Sequence, residues 1–308
     1  MQLKRLAISS RPPLLALLGP TASGKSALAL QLAQDHNAII LSLDSLGVYK
    51  EIAIASAKPS IDERGDIPHF GIDVLSLRET CSAALFCSLF TEARAYSILH
   101  DKPLILVGGT GFYLKALIDG LSPVPSLSPD SKQKLDALLC SQEHSFTYLA
   151  TIDPKFASTI SAHDRYRTSK GLLVYFASGL TPTEYFLANP PQGIEESIAL
   201  YEIAISRETL RERVVKRTLE MLESGLIDEV ASLESSFGRS PSAMGSIGIK
   251  EVLSYFDGKL SFQELPQWIA THTTQLAKRQ QIFNKSQFKD LISAPAQSLK
   301  SFISRDCF

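Results

Sequence analysis

Short runs of apolar residues predict the strands of a buried parallel sheet. They cover residues 14–18, 38–44, 103–107 and 199–205. Strands that are covered on both faces have this continuous apolar pattern, without the alternation that is typical of half-exposed strands. The first run is followed by a glycine-rich loop and then by a segment of helical composition. We therefore expect the chain to begin with a βαβ unit.

Longer segments between the strands have the spacing of amphipathic helices. Helices are expected at about residues 83–100 and 208–222. In the first of them, Leu85, Leu89 and Ile98 are expected to form the inner face. Such helices pack against the faces of a parallel sheet, so the pattern favours an α/β fold.

A phosphate-binding motif lies between the first predicted strand and the helix that follows it. Residues 19–26, Gly-Pro-Thr-Ala-Ser-Gly-Lys-Ser, fit the pattern G-x-x-x-x-G-K-[ST]. Backbone N–H groups of such a P-loop and the helix N-terminus bind anions, Lys25 adds a positive charge, and Ser26 offers a hydroxyl to Mg²⁺. We expect a ligand with a diphosphate or triphosphate, as in ATP and other nucleotides. The expected binding residues are Gly19, Pro20, Thr21, Ala22, Ser23, Gly24, Lys25 and Ser26.

The middle of the chain has a different character. Serine and proline interrupt the pattern at residues 119–129, and polar, helical segments follow without a strand of comparable quality. The predicted fold is therefore α/β, a P-loop NTPase-like core with a parallel sheet and a helical insertion domain. The core would comprise residues 1–120 and 199–308, with a helical C-terminal part, and the insertion residues 121–198.

Composition and charge narrow the class of protein. The 308 residues are 44% hydrophobic and 20% charged, which is ordinary for a globular protein. No apolar run approaches the roughly 18 residues that span a bilayer, so we expect no membrane anchor. The four cysteines have no metal-type spacing, which favours free thiols in a cytoplasmic protein. The formal net charge of −1 argues against a generally basic, nucleic-acid-coating surface but allows a local basic patch.

A carboxylate follows the second predicted strand instead of the third. An ATPase or GTPase normally has one at the end of a buried strand to hold Mg²⁺ and help place the attacking water. The third strand instead leads into Gly108-Gly-Thr110, whereas Asp44 follows the second. Ligands bind at this edge of open α/β sheets, so Asp44 should face the phosphate loop. It could act as a general base, bind the metal's water shell, or simply cap a loop or helix.

These residues alone leave more than one function open. A small-molecule or nucleotide kinase shares the loop and the aspartate, and Arg165 and Arg167 of the insertion could serve its lid. A nucleic-acid-binding switch protein without transfer chemistry is a second alternative. The lack of a carboxylate after the third strand weakens that second alternative.

Several motifs together resemble the tRNA dimethylallyltransferase family, the isopentenyltransferases of tRNA. They are residues 19–26, Asp44-Ser45, Ala57-Lys58-Pro59, Val107-Gly-Gly-Thr110 with Tyr113 and Lys115, and Gln275-Leu-Ala-Lys-Arg-Gln280. The likeness runs from about residue 14 to about residue 288. It implies an enzyme that transfers a dimethylallyl group from dimethylallyl diphosphate to N6 of adenosine 37, beside the tRNA anticodon, with Mg²⁺. An adenylate isopentenyltransferase is the alternative within this chemistry, although the insertion and the long C-terminal part favour a large RNA.

The resemblance also implies roles for single residues. Asp44 would be the base, Thr110 would orient the substrate or relay a proton, and Ser26 would hold Mg²⁺. Arg217, in preference to Arg213 on the same helix face, would contact the diphosphate. The expected tRNA-binding residues are Asp44, Ser45, Leu46, Gly47, Thr110, Lys132, Tyr166, Arg167 and Lys170, with the turn at residues 243–250. The expected partners are a tRNA anticodon stem-loop and dimethylallyl diphosphate, bound by a monomer.

The chain departs from the family pattern on the side expected to meet RNA. Gly47 stands where a glutamine is usual, Gly245 and Thr274 where an arginine is usual, and Ile249 where a tyrosine is usual, while His163 replaces an asparagine. The diphosphate side retains its residues. We therefore expect the same chemistry with weaker or differently distributed tRNA contacts, measurable as the affinity for tRNA and its salt dependence.

Overall fold

The apolar runs form the strands of an all-parallel sheet. The computed structural model describes residues 11–109 and 111–308. In chain order the strands are β1 (Leu14–Leu18), β2 (Ile39–Ser42), β3 (His69–Phe70), β4 (Leu104–Gly108), β5 (Ala199–Ile203) and β6 (Ile292–Ala294). They lie in the order β3-β2-β4-β1-β5-β6, so β1 is flanked by β4 and β5 and all its residues are buried. The sequence did not predict β3 or β6, because β3 has only two residues and β6 is largely exposed.

The first helices lie between and after the early strands. They are α1 (Lys25–His36), α2 (Ile61–Arg64), α3 (Ala83–Leu99) and α4 (Gly111–Asp119). The inner face of α3 contains Leu89, as expected, together with Phe86 and Phe90. Leu85 is only partly buried. The expectation was wrong for Ile98, which is 44% exposed because the buried stripe ends at its neighbour Ser97.

The chain divides into two compact units, and the smaller comprises residues 117–194. Its helices are α5 (Pro129–Leu138), α6 (Gln142–Ile152), α7 (Pro154–Ala157), α8 (Arg165–Ser178) and α9 (Pro182–Ala188). Their core is centred on Leu135, Leu149 and Leu172. The limits of this unit fall somewhat before the expected boundaries of 121–198 at both ends.

The two ends of the smaller unit run side by side. The N–H of Ile194 donates to the carbonyl of Leu117 at 3.1 Å. A Cβ on Gly193 would lie 1.9 Å from the carbonyl oxygen of Ile118, and one on Gly120 would lie 2.2 Å from the backbone of Gln192. Only glycine permits so close an approach, so these ends form a narrow neck.

The rest of the larger unit, residues 1–116 and 195–308, is mainly helical after β5. Its helices are α10 (Arg207–Glu223), α11 (Leu226–Phe237), α12 (Ile249–Phe256), α13 (Leu265–Gln287) and α14 (Ala296–Asp306), with a 3₁₀ turn at Ser242–Gly245. Helix α10 packs on α13 through Leu210, Val214, Ala270 and Ala277. None of the described helices combines the length and the apolar character that a membrane crossing requires.

A buried arginine joins separate segments of the larger unit. Arg94 of α3 donates through Nη1 to the carbonyl of Pro12 at 2.9 Å and through Nε to Oε2 of Glu196 at 2.9 Å. Burial alone would raise the pKa of Glu196, but hydrogen bonds from Arg94 and Arg11 lower it below its usual value. The segments before β1 and before β5 are thus fixed to α3.

We expect Arg94→Ala to lower the free energy of unfolding by about 3 kcal/mol, because it leaves buried acceptors without their donor. Unfolding in guanidinium chloride measures this change. The matched control is Arg207→Ala, at an exposed arginine of α10, for which a change within about 0.5 kcal/mol is expected. Equal losses in the two variants would contradict the role of Arg94.

Candidate functional site

The phosphate loop connects β1 to α1, as its pattern predicts. Gly24 has a φ of 94° and Lys25 is the first residue of α1. Among the described residues no side chain caps this helix N-terminus, so its first N–H groups remain available to an anion. The loop is held internally by the N–H of Ser23, which donates to the carbonyl of Pro20 at 3.1 Å. A Cβ at Gly19 would lie 2.7 Å from the buried Oγ of Ser23, which explains the glycine there.

A cavity of about 580 Å³ lies beside this loop, at the carboxyl ends of β2 and β4. Ligands bind at this edge of parallel sheets. The predicted site residues that line it are Thr21, Lys25, Ser26, Asp44, Ser45, Leu46, Gly47 and Arg217. Gly19, Pro20, Ala22, Ser23 and Gly24 form the loop without lining the cavity. Thr110 lies outside the described residues.

The predicted residues of the insertion lie on the smaller unit. Lys132 belongs to α5, and Tyr166, Arg167 and Lys170 belong to the first turns of α8. Tyr166 is 68% exposed, and Nζ of Lys170 lies 5.7 Å from the centre of its ring. An exposed aromatic ring next to a cation is typical of surfaces that bind single-stranded nucleic acid.

Asp44 both caps a turn and lines the cavity. Its Oδ1 accepts the N–H groups of Leu46 and Gly47 at 2.8 and 2.9 Å. These bonds fix the carboxylate, while Oδ2 has no hydrogen-bond partner among the described residues. Among the described residues that line the cavity, Asp44 is the only carboxylate. Capping a turn is therefore compatible with a role of Asp44 toward a ligand in the cavity.

Buried cations dominate the electrostatics around the phosphate loop. Burial lowers the pKa of Lys25 to about 8, although the charge of Asp44 raises it and Arg217 lowers it further. Burial also lowers the pKa of Arg217, against the opposing fields of Asp44 and Glu220. Arg217 donates through Nη2 to the carbonyl of Ser56 at 3.5 Å. Since Asp44 is the one carboxylate among the described residues that line the cavity, positive charge is in excess there and the cavity favours an anion.

Arg213 and Arg217, which share one face of α10, have different positions. Arg213 donates through Nη1 to the carbonyl of Ser23 at 2.8 Å and so holds the phosphate loop. It does not line the cavity, whereas Arg217 does. Of the two arginines, Arg217 is therefore the one placed to contact a ligand.

Gln280 and Lys58 also shape the cavity, although neither was predicted to have a role of its own. Gln280 accepts the N–H of Thr21 at 2.9 Å through Oε1. Lys58 forms an ion pair with Asp73 at 2.6 Å and therefore forms part of the wall without an uncompensated charge. Both lie in motifs that the family resemblance had already marked, so a signal existed.

Glu229 of α11 was missed for lack of any such signal. Its carboxylate accepts the N–H groups of Ala53, Ile54 and Ala55 at 2.8, 2.8 and 2.9 Å. These residues immediately precede Ser56, whose carbonyl accepts from Arg217. Glu229 is distant from that loop in sequence, and no short motif connects the two.

The turn before α12 also forms part of the cavity wall. Gly245, Ser246, Ile247 and Lys250 line the cavity. A Cβ at Gly245 would meet no heavy atom within 4 Å, so the space of a longer side chain is open there. Ile249 is fully buried.

The parallel sheet, the phosphate loop that feeds α1 and the carboxylate in the same cavity define a P-loop α/β protein. A model of the family described as IPP transferase matches residues 47–287. The chain belongs to the IPP transferase family and is a transferase. The resemblance seen in the sequence and the predicted fold class are thereby confirmed.

Curated relatives and solved structures match this chain over nearly its whole length. This chain is 51% identical over 277 residues to the tRNA dimethylallyltransferase of Wolinella succinogenes. The alignment covers 90% of this chain and 92% of that protein. The Sulfurimonas denitrificans protein of the same name is 47% identical over 289 residues, 94% of this chain and 97% of that protein. The full-length tRNA isopentenylpyrophosphate transferase of Bacillus halodurans superposes with a TM-score of 0.69 at 26% identity, covering 96% of both chains.

A eukaryotic dimethylallyltransferase acting on tRNA superposes with a higher TM-score of 0.80, at 25% identity. The superposition covers 96% of this chain and 76% of that one. The fold is thus shared with tRNA-modifying enzymes of both bacteria and eukaryotes.

The pKa of Lys25 predicts how anion binding depends on pH. Because the protonated ammonium attracts the anion, affinity for inorganic diphosphate should be full below about pH 8 and fall as the pH rises through that value. The fall should be at most about tenfold per pH unit, measured by titration calorimetry. Lys25→Arg keeps its charge and should remove most of the fall. The same fall in both proteins would contradict this assignment.

Proposed function

We propose that this protein transfers a dimethylallyl group from dimethylallyl diphosphate to N6 of adenosine 37 in tRNA and releases diphosphate. The observation that carries the proposal is the placement of Lys25, Ser26, Asp44 and Arg217 around one cavity. The names of the relatives, tRNA dimethylallyltransferases, support the choice of substrates.

The phosphate loop would bind the leaving group. N–H groups at the N-terminus of α1, Lys25 and Arg217 surround the place where an allylic diphosphate would develop negative charge as its C–O bond breaks. Fixed donors in a partly buried site stabilise such charge without reorganising. This arrangement needs no activated water, which agrees with the absence of a carboxylate after β4, where Gly109 follows the strand.

Mg²⁺ is the proposed cofactor, with Ser26 as its protein ligand. Ser26 is exposed and lines the cavity in the first turn of α1. The described residues contain no cluster of three His, Cys, Asp or Glu that could hold a metal alone. This suits Mg²⁺, which is often held by a single protein oxygen together with substrate phosphates and waters. When bound, the ion would neutralise part of the diphosphate charge.

Asp44 is the proposed general base. The lone pair of the adenine N6 amine is delocalised into the ring, so the amine is a poor nucleophile until it loses a proton. As the bond from N6 to C1 of the dimethylallyl group forms, the C1–O bond breaks and its electron pair leaves with the diphosphate. The N6 proton passes to Oδ2 of Asp44, since Oδ1 is occupied by two backbone N–H groups.

The adenine must leave the stack of the anticodon loop to reach this cavity. Ser45, Leu46 and Gly47 line the cavity next to the base and would contact the flipped nucleotide. Lys132, Tyr166, Arg167 and Lys170 of the smaller unit would hold the rest of the stem-loop by stacking and phosphate contacts. Thr110 would orient the substrate.

The enzyme would act as a monomer in the cytoplasm. The described residues around the cavity include donors for the phosphates and an acceptor for the amine proton. All four cysteines are free thiols, which suits a reducing compartment.

The proposal is tested by incubating the protein with Mg²⁺, dimethylallyl diphosphate and an unmodified tRNA that carries adenosines at positions 36 to 38. Nucleoside analysis should show isopentenyladenosine at position 37. AMP and ATP serve as rival substrates in parallel reactions. Transfer to AMP but not to tRNA would indicate an adenylate enzyme, and ATP turnover without any prenyl transfer would overturn the proposal.

We expect Asp44→Asn to retain diphosphate binding and to lose at least about 100-fold in transfer rate. The amide oxygen can still accept the N–H groups of Leu46 and Gly47, so the turn is preserved, but the amide nitrogen cannot take a proton. Single-turnover kinetics with tRNA and calorimetry with diphosphate separate the two effects. Turnover close to that of the unchanged protein would exclude Asp44 as the base.

A further inference from the structure

A buried carboxylate that the proposed reaction does not use lies behind the cavity wall. Glu251 of α12 is 3% exposed, and its Oε2 accepts the N–H of Gly248 at 2.6 Å. Its Oε1 lies 2.6 Å from Nδ1 of His272 and 3.6 Å from Nζ of Lys250. A carboxylate so far removed from water is tolerated because donors surround it. Glu251 thereby ties α13 to the turn before α12.

This contact fixes the orientation and the tautomer of His272. A carboxylate accepts hydrogen bonds but donates none, so Nδ1 carries the proton and donates it to Glu251. Carboxylates hold catalytic and metal-binding histidines in the same way. The ring of Trp268, one turn earlier on α13, contacts His272 edge-on at a centroid distance of 5.6 Å. The imidazole is therefore held on two sides.

The second ring nitrogen is the polar atom that His272 can offer to a ligand. His272 lines the cavity together with Lys250 and Arg279. Among the residues that the structure describes, none forms a hydrogen bond with Nε2. In the neutral ring Nε2 has a lone pair and no proton, so it is a hydrogen-bond acceptor.

The chemistry of an acceptor narrows what it can bind in this cavity. Phosphate oxygens are acceptors themselves, and the neighbouring cations Lys250 and Arg279 suit them better. The adenine N6 amine is a donor, but the proposed reaction commits it to Asp44. Donors on the other bases differ from one nucleotide to the next, whereas every ribonucleotide carries a ribose 2′-hydroxyl, which also distinguishes RNA from DNA.

We propose that His272, held by Glu251, binds RNA by accepting a hydrogen bond from a ribose 2′-hydroxyl of the target adenosine or an adjoining nucleotide. The inference rests on the proposed function, since it takes an RNA loop as the occupant of the cavity. It adds a binding residue that no motif in the sequence marked. It also gives the cavity a means of selecting RNA over DNA that is independent of overall charge.

The test is a double-substitution cycle on the complete protein, with Mg²⁺ and inorganic diphosphate present. The affinity of the protein for an anticodon stem-loop is measured at one fixed pH throughout. The RNA is all-ribose or carries one 2′-deoxy nucleotide, placed in turn at the target adenosine and at each neighbour. In the unchanged protein, the 2′-deoxy substitution at one of these positions should weaken binding about fivefold. His272→Ala should weaken binding of the all-ribose RNA by a similar factor.

We call the factor by which a 2′-deoxy nucleotide weakens binding the 2′-deoxy penalty. The decisive measurement is this penalty in His272→Ala. If His272 contacts that hydroxyl, the penalty should fall below about twofold in His272→Ala, because the partner is already absent. A penalty that is the same in both proteins at every position would overturn the inference. Thermal unfolding of the variant should show that it is folded under the assay conditions.

The matched control is His100→Ala, at an exposed histidine just after α3 that does not line the cavity. It should leave both the affinity and the 2′-deoxy penalty unchanged. The proposed function is scored separately, by prenyl transfer to the all-ribose RNA. Transfer with equal 2′-deoxy penalties would refute only the role of His272, whereas no transfer to any tRNA would refute the function itself.

Discussion

The burial of positive charge beside the phosphate loop is the constraint on which the rest of the site depends. Lys25 and Arg217 lie partly out of water, and burial lowers the pKa of each although Asp44 opposes this shift at both and Glu220 opposes it at Arg217. Such an arrangement is unfavourable until an anion enters, so stability is given up locally for affinity. Helix α1 adds its uncapped N-terminus to the same place. The proposed allylic diphosphate would meet all these demands with one group.

Much of the remaining structure holds these charges in place from outside the cavity. Arg213 fixes the backbone of the phosphate loop, Gln280 binds it from α13, and Glu229 fixes the loop whose carbonyl accepts from Arg217. Each support comes from the chain after β5. The C-terminal helices therefore help to build the site at the phosphate loop, although the motif that defines the loop lies near residue 20.

The sequence predicted the parts of the site whose residues are neighbours along the chain. The strands around residues 14–18 and 104–108 and the loop between β1 and α1 follow from local pattern, because burial on both faces and phosphate binding each require a fixed order of residue types. Contacts such as that between Glu251 and His272 join separate helices, in segments whose composition is ordinary. Nothing in local periodicity distinguishes such a histidine from a solvated one, so only the fold revealed it.

The neck of the smaller unit has a consequence for how such a protein can change over time. Gly120 and Gly193 let the chain enter and leave the smaller unit at nearly one point, whatever lies between them. Enlarging the segment beyond the neck adds only the slowly rising entropy of a longer loop. The helices proposed to meet RNA could thus lengthen, shrink or be exchanged among relatives while the proposed chemistry stays fixed. Under the proposed function, substrate recognition would in this sense be a replaceable module, whose two ends meet at residues that have no side chain.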